Sequence, residues 1–177
     1  MRKIMCKVRY LLVKLYAALF FRGKVRIGVT GSMRGMPYFS VNSDGVIDIA
    51  PHCRMEKSQM AVVRGGKILV GEGTSIGDND ILVSHGEIRI GKNCSLAPNI
   101  CIYDHDHNFS RNGKIEGFKV GKVIVGDNVW CGAGVIILRD TVIGNNCVIG
   151  AGTVVKGVIP PNSIVTSNRQ LIIKQLH

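Results

Sequence analysis

The stretch "VGDNVWCGAGVIILRDTVIGNNCVIGAGTVVKGVIPPNSIV", residues 125–165, keeps a regular beat. Aliphatic or small residues recur every six positions at Val125, Cys131, Ile137, Ile143, Ile149 and Val155. Glycine follows four of them, and a second small residue comes four positions after most: Val129, Val135, Thr141, Cys147 and Thr153. Upstream, Val70, Ile76 and Leu82 keep the beat; after a two-residue insertion, so do Ile90, Leu96 and Ile102. Ile49 and Met55 extend it towards the N-terminus. Short flat strands joined by tight turns would wrap into a parallel solenoid, each rung stacked on the next. Only small and medium side chains fit the narrow interior, and glycine permits corner conformations that a Cβ forbids. Three six-residue sides make a triangular rung of roughly 18 residues, so about seven full or partial rungs fit between Arg26 and Val165.

The beat also settles the cysteines. Cys94, Cys131 and Cys147 fall in interior slots, and Cys53 is placed there too. With no CxxC pair among the six, they read as buried thiols in a reducing compartment, not as a zinc ribbon or a disulfide framework.

Charge is concentrated at one end. Residues 1–26 hold eight of the 23 basic residues and none of the 12 acids, leaving 15 cations against 12 acids elsewhere. The body has no basic stripe interleaved with aromatics, so no nucleic-acid partner is expected. The segment "MRKIMCKVRYLLVKLYAALFFRGK" fits a basic amphipathic helix over residues 1–24. Met1, Met5, Val8, Leu12, Leu15 and Leu19 share one face, with Lys3, Lys7 and Lys14 opposite. Lys14 breaks the apolar run well short of a spanning helix, and no small-residue cleavage pattern marks a signal peptide. Two readings stay open: a cap that packs this face on the solenoid end, or an interfacial helix on anionic lipid.

The beat fails between Ile102 and Val125. A solenoid tolerates only outward excursions, so residues 103–122 form an extruded loop, and a loop of this length in a compact domain usually carries function. It opens on "IYDHDHN", with Asp104, His105, Asp106 and His107 in succession. Such a cluster can decorate a solvated turn, contribute to a metal site or supply a general base. An HxH pair is incomplete as a zinc site, and no metal is expected. A histidine with a pKa near ~6.5 suits removal of a hydroxyl proton, and a neighbouring carboxylate would fix its tautomer.

Residues 125–165, together with "IGKNCSLAPNICIYDHDH", resemble the hexapeptide-repeat acyltransferases, in particular the branch with the galactoside, maltose and capsular polysaccharide O-acetyltransferases. The resemblance implies an all-β, left-handed parallel β-helix over residues 25–165, with a C-terminal tail over 166–177. It implies an acetyl-CoA-dependent sugar O-acetyltransferase in surface or capsular polysaccharide biosynthesis, working as a homotrimer with active sites between subunits. By position His105 is the catalytic base, with Asp104 or Asp106 orienting it and His107 as the alternative base or an acceptor contact. Ala133, Gly134, Ala151, Gly152 and Lys156 match positions that hold acetyl-CoA, with Arg169 a further phosphate partner. Asn79 and Trp130 match acceptor-binding positions. The bland surface reading is kept for His85, in an "SHG" turn. The expected location is cytoplasmic, peripheral at the inner face of the membrane if residues 1–24 bind lipid. Rival readings are an N-acetyltransferase on an amino sugar, a zinc protein resembling the γ-type carbonic anhydrases, and a non-catalytic solenoid.

Overall fold

The computed structural model describes residues 2–167, with side chains described from Ile4 onward. Three parallel sheets of seven, seven and six strands form the three sides of a left-handed β-helix. Each rung contributes one strand to each sheet in turn. Strand Val25–Ile27 opens the first rung, and Val154–Val155 closes the sixth. Val158–Ile159 and Ile164–Val165 add two sides of a seventh.

Every predicted interior residue from Val70 to Val155 is buried, as are Ile49 and Met55 further upstream. Cys53, Cys94, Cys131 and Cys147 lie in the same core, and all six cysteines are free thiols. The alternation follows from the pleat: in Ile81–Ser84 and Glu87–Ile90 every second residue points inward and its neighbours outward.

Corners are made where the sequence supplies residues tolerant of positive φ. Asn128, Asn146 and Asn162 all adopt φ near +60° (56°, 59° and 61°) at the corner between the first and second sheets. Their amides link successive rungs: Asn128 Nδ2 donates to Asn146 Oδ1, and Asn146 Nδ2 to Asn162 Oδ1. At the next corner the limit is proximity. A Cβ on Gly132 would lie 2.6 Å from the Ala151 backbone nitrogen, so the rungs stack there only without one.

The helix α1, Arg2–Phe20, lies on the first rung against strands Val25–Ile27 and Gly31–Met33. It closes the open end of the core, but not with the face expected from its sequence. Tyr10, Val13 and Ala17 are buried, and the Tyr10 hydroxyl reaches Gly28 O and Thr30 O at 3.0 and 3.1 Å. The face running from Met5 to Leu19 is turned to solvent, and Met1 lies outside the described residues. The cap therefore uses a second, narrower stripe of smaller and aromatic residues that fits the end of a triangular core.

One buried acid is unrelated to any cleft around the histidines. Asp80 accepts from Gly77 N at 2.7 Å and Ile100 N at 2.9 Å, tying two rungs together. Burial pushes its carboxyl up to about 6, against the lowering effect of those two N–H groups. A raised acid pKa means that the native state holds this proton more tightly than the unfolded chain. Its stabilising contribution is present below pH ~4 and is lost as pH rises through about 6. In Asp80→Asn that titration disappears, at the constant cost of one lost acceptor. Relative to wild type, the variant should gain on the order of 3 kcal/mol between pH 4 and pH 7 in denaturant melts. A pH-independent difference would refute the assignment.

Candidate active site

Rungs three and four are offset by 20 residues, as the pairing Ile81↔Cys101, Leu82↔Ile102 and Val83↔Tyr103 shows. That register stacks the turn Ser84-His85-Gly86 directly against Asp104 and His105. At this corner, between the third and first sheets, the chain leaves the solenoid. The extruded segment is an antiparallel hairpin, His105–Phe109 paired with Ile115–Val120. Its neck is closed by Gly121 N donating to Asp104 O at 2.8 Å.

Asp104 is fully buried at this neck. Its Oδ2 accepts from Ser84 Oγ at 2.6 Å and Gly86 N at 2.9 Å, and its Oδ1 from His85 N at 2.8 Å. Gly86 is required for the approach, because a Cβ there would lie 2.4 Å from Gly121 O. Asp104 Oδ1 also lies 3.2 Å from His105 Nδ1. A carboxylate can only accept, so it selects the tautomer with the proton on Nδ1 and leaves Nε2 free.

His105 is boxed by rings. His85 stacks on it with centroids 3.7 Å apart and planes within 10°. Phe118 stands edge-on to both imidazoles, and Arg64 lies over Phe118 at 5.1 Å. Burial, then the proximity of His105, lowers the pKa of His85 and so favours its neutral form. His85 Nδ1 is buried and has no hydrogen-bond partner among the described residues. The stack restricts His105 to one plane, which together with the Asp104 bond fixes where its free nitrogen lies.

Asp106 does not pair with His105. Its Oδ2 accepts from Arg139 Nε at 2.9 Å, and Arg139 also pairs with Asp140. His107 is exposed on the hairpin, tilted against Phe118. Tyr103, His105, Asp106, His107, Arg139 and Lys156 line one open cleft of about 690 Å³. Such a cleft offers a proton acceptor beside three cations, Lys119, Arg139 and Lys156, suited to a polyhydroxy ligand and an anionic one. Among the described residues no group of three or more His, Cys, Asp or Glu side chains is placed to hold a metal ion.

The other predicted site residues lie elsewhere on the chain. Ala133, Gly134, Ala151 and Gly152 stack at the corner between the second and third sheets, where Gly152 N donates to Ala133 O. Gly134 N donates back to Pro98 O in the rung below. Asn79 sits at that same corner, two rungs before Ala133, with φ of 58° and a cleft shared with Tyr38 and Lys57. Trp130 projects from the second sheet, half exposed, between Ser95 and Val148 of adjacent rungs. One chain therefore does not bring His105 and the small-residue turns together, and Lys156 lies with the histidine and not with those turns. Arg169 and the rest of the tail from residue 168 lie outside the described residues. His85, Ser84 and Arg139 were missed; the 20-residue offset between "ILVSHG" and "CIYDHD" was the signal that could have found Ser84 and His85, whereas Arg139 lies on the following rung, past the hairpin.

Residues 122–157 match the family described as bacterial transferase hexapeptide (six repeats). The chain is 31% identical over 117 residues to the galactoside O-acetyltransferase of Escherichia coli, covering 64% of this chain and 56% of the relative. It spans only 56% to 61% of the length of the first curated relatives it matches. Among solved structures, it is similar to the polysialic acid O-acetyltransferase OatWY at a TM-score of 0.69 and 26% identity, over 85% of this chain and 74% of that one. The fold is shared with AntD, an N-acyltransferase from Bacillus cereus, at a TM-score of 0.70 and 24% identity, over 86% and 84% of the two chains. The solenoid, the repeat at residues 122–157 and the matched relatives agree: the chain carries the bacterial transferase hexapeptide repeat and is similar to the hexapeptide-repeat acetyltransferases.

Proposed function

We propose that this protein transfers an acetyl group from acetyl-CoA to a sugar hydroxyl. The observation that carries the reading is the Asp104–His105 pair, held at the corner where the hairpin leaves the solenoid beside an open cleft. His105 Nε2 takes the proton of the acceptor hydroxyl. The hydroxyl oxygen attacks the thioester carbonyl, forming a C–O bond. The tetrahedral oxyanion is held by a backbone N–H at Ala133. Collapse breaks the C–S bond, and the His105 imidazolium returns its proton to the CoA thiolate. No covalent enzyme intermediate is needed: the buried thiols of Cys53 and Cys131 are pushed up to about 11 and 12 by burial, far from nucleophilic thiolates.

The separation of His105 from the Ala133 and Ala151 turns on one chain supports a homotrimer. In it, one subunit's histidine corner faces its neighbour's small-residue turns. Lys156 and Arg139 would attract the CoA phosphates, and Asn79, Trp130 and His107 would contact the acceptor. Six free thiols fit a cytoplasmic location. The relatives named for galactoside and polysialic acid O-acetylation favour a polysaccharide or oligosaccharide acceptor.

The test is incubation with acetyl-CoA and a panel of oligosaccharides and amino sugars, read by thiol release and product mass. An added acetyl group that mild alkali removes is the expected product. An alkali-stable acetyl would move the assignment to an amino-sugar N-acetyltransferase. Stoichiometric zinc with no CoA-induced thermal shift would overturn it in favour of a metal enzyme.

A further inference from the structure

We propose that α1 is an interfacial anchor that holds the first-rung end of the solenoid on an anionic lipid bilayer. The helix has two apolar stripes, and the solenoid uses only one. Tyr10, Val13 and Ala17 are docked. Ile4, Val8, Leu11, Leu12, Leu15 and Leu19 are each half to two thirds exposed. At ~3.6 residues per turn these six fall on the side of the helix opposite the docked stripe. A helix that served only as a cap would be polar there.

The charges on that helix select the occupant. Lys7 and Lys14 lie along one edge of the outward stripe, while Arg9, towards the other edge, donates to the Arg34 carbonyl of the solenoid. Arg22 is exposed just past the helix end. No acid occurs in residues 1–26. An aliphatic stripe edged by Lys7 and Lys14, on a segment free of acids, matches an anionic bilayer surface, with acyl chains below and phosphates at the level of the lysines. A second copy of the same face would bring like charges together. No helix among the described residues is long and apolar enough to cross a membrane, so α1 would lie in the interface. The apolar surface also continues beyond the helix. Lys7 and Leu11 share a cleft with Val29 of the first rung, itself among the most exposed aliphatic side chains.

This docking sets the height of the cleft. His105 follows the fourth rung, three rung spacings from the first, or roughly 15 Å at ~4.8 Å per rung. If the transfer reaction proposed above holds, that distance suits a glycan carried on a membrane-anchored chain.

The experiment is flotation of the full chain with vesicles of phosphatidylcholine alone or with about a third phosphatidylglycerol. Wild type should bind the anionic vesicles at least ~10-fold better, and binding should fall steeply as salt is raised. Leu12→Glu with Leu15→Glu should abolish binding while leaving the circular dichroism and thermal melt of the solenoid intact, since neither residue is docked. Lys7→Gln with Lys14→Gln should weaken binding and flatten its salt dependence. Equal flotation with both vesicle types, or wild-type flotation by the leucine variant, would overturn the anchor. So would loss of oligomers in the leucine variant without any wild-type flotation, which would assign the stripe to a second copy. Acetyl transfer to a water-soluble acceptor should not change in any variant, so the anchor and the reaction fail independently.

Discussion

His105→Ala should lose roughly 10²–10⁴-fold in acetyl transfer at saturating acetyl-CoA, the range that a positioned general base contributes. CoA affinity, read by thermal shift, should stay within a few-fold of wild type, because the proposed donor contacts lie at another corner of the chain. The contrast with His107→Ala makes the result specific. His105 has its Nδ1 on a buried carboxylate and one ring face covered by His85. His107 has neither, only a tilted contact with Phe118 at 4.8 Å on the exposed side of the hairpin. A base needs a fixed tautomer and a fixed lone pair, and only His105 has both. The expected cost of His107→Ala is therefore under ~10-fold, mainly in KM for the acceptor. If the two effects are exchanged, the base is His107 and the Asp104–His105 pair is structural.

Much of the fold was readable because a solenoid writes its geometry as a period. Each interior slot admits only a small or medium side chain, so Val125 to Val155 could be placed before any contact was known. The helix was readable as a helix but not as a cap. Its strongest periodic signal came from the long aliphatics that face solvent, while the docked stripe of Tyr10, Val13 and Ala17 is short and of mixed size. The cap is selected by shape, and a hydropathy pattern carries no shape. The site divided in the same way. His105 announced itself by breaking the beat. The choice between Asp104 and Asp106 did not, since both flank the histidine in sequence. It is set by the break at the hairpin neck: Asp104 ends the rung and turns in to Ser84, whereas Asp106 already lies on the hairpin, where it meets Arg139. His85 was invisible as chemistry because its role depends on a neighbour 20 residues away, one rung along the solenoid.

Asp104→Asn should be the second most damaging change, and it should act on both stability and rate. The carboxylate accepts from three protein donors besides His105: Ser84 Oγ, His85 N and Gly86 N. An amide keeps one oxygen and offers an NH₂ in place of the other. If the NH₂ takes the Oδ2 position, it opposes the Gly86 N–H, which cannot turn away. The Ser84 hydroxyl can rotate and accept, so stability falls by the cost of one buried unpaired donor, about 1–3 kcal/mol. If the NH₂ takes the Oδ1 position, it opposes the His85 N–H and also faces His105 Nδ1. Then Nδ1 becomes the acceptor and the ring proton moves to Nε2, the atom that must take a proton from the sugar. A histidine in that tautomer is no base, and the loss should approach that of His105→Ala, on the order of 10³–10⁴-fold. The contribution of the wrong tautomer separates from simple loosening by comparison with Ser84→Ala. That variant removes one donor from Oδ2, far from the histidine, and should lower the melting temperature while leaving kcat within a few-fold of wild type. Equal losses of kcat in Asp104→Asn and Ser84→Ala would mean that the corner needs only rigidity. A large loss confined to Asp104→Asn would mean that the buried carboxylate sets which nitrogen of His105 is free to act.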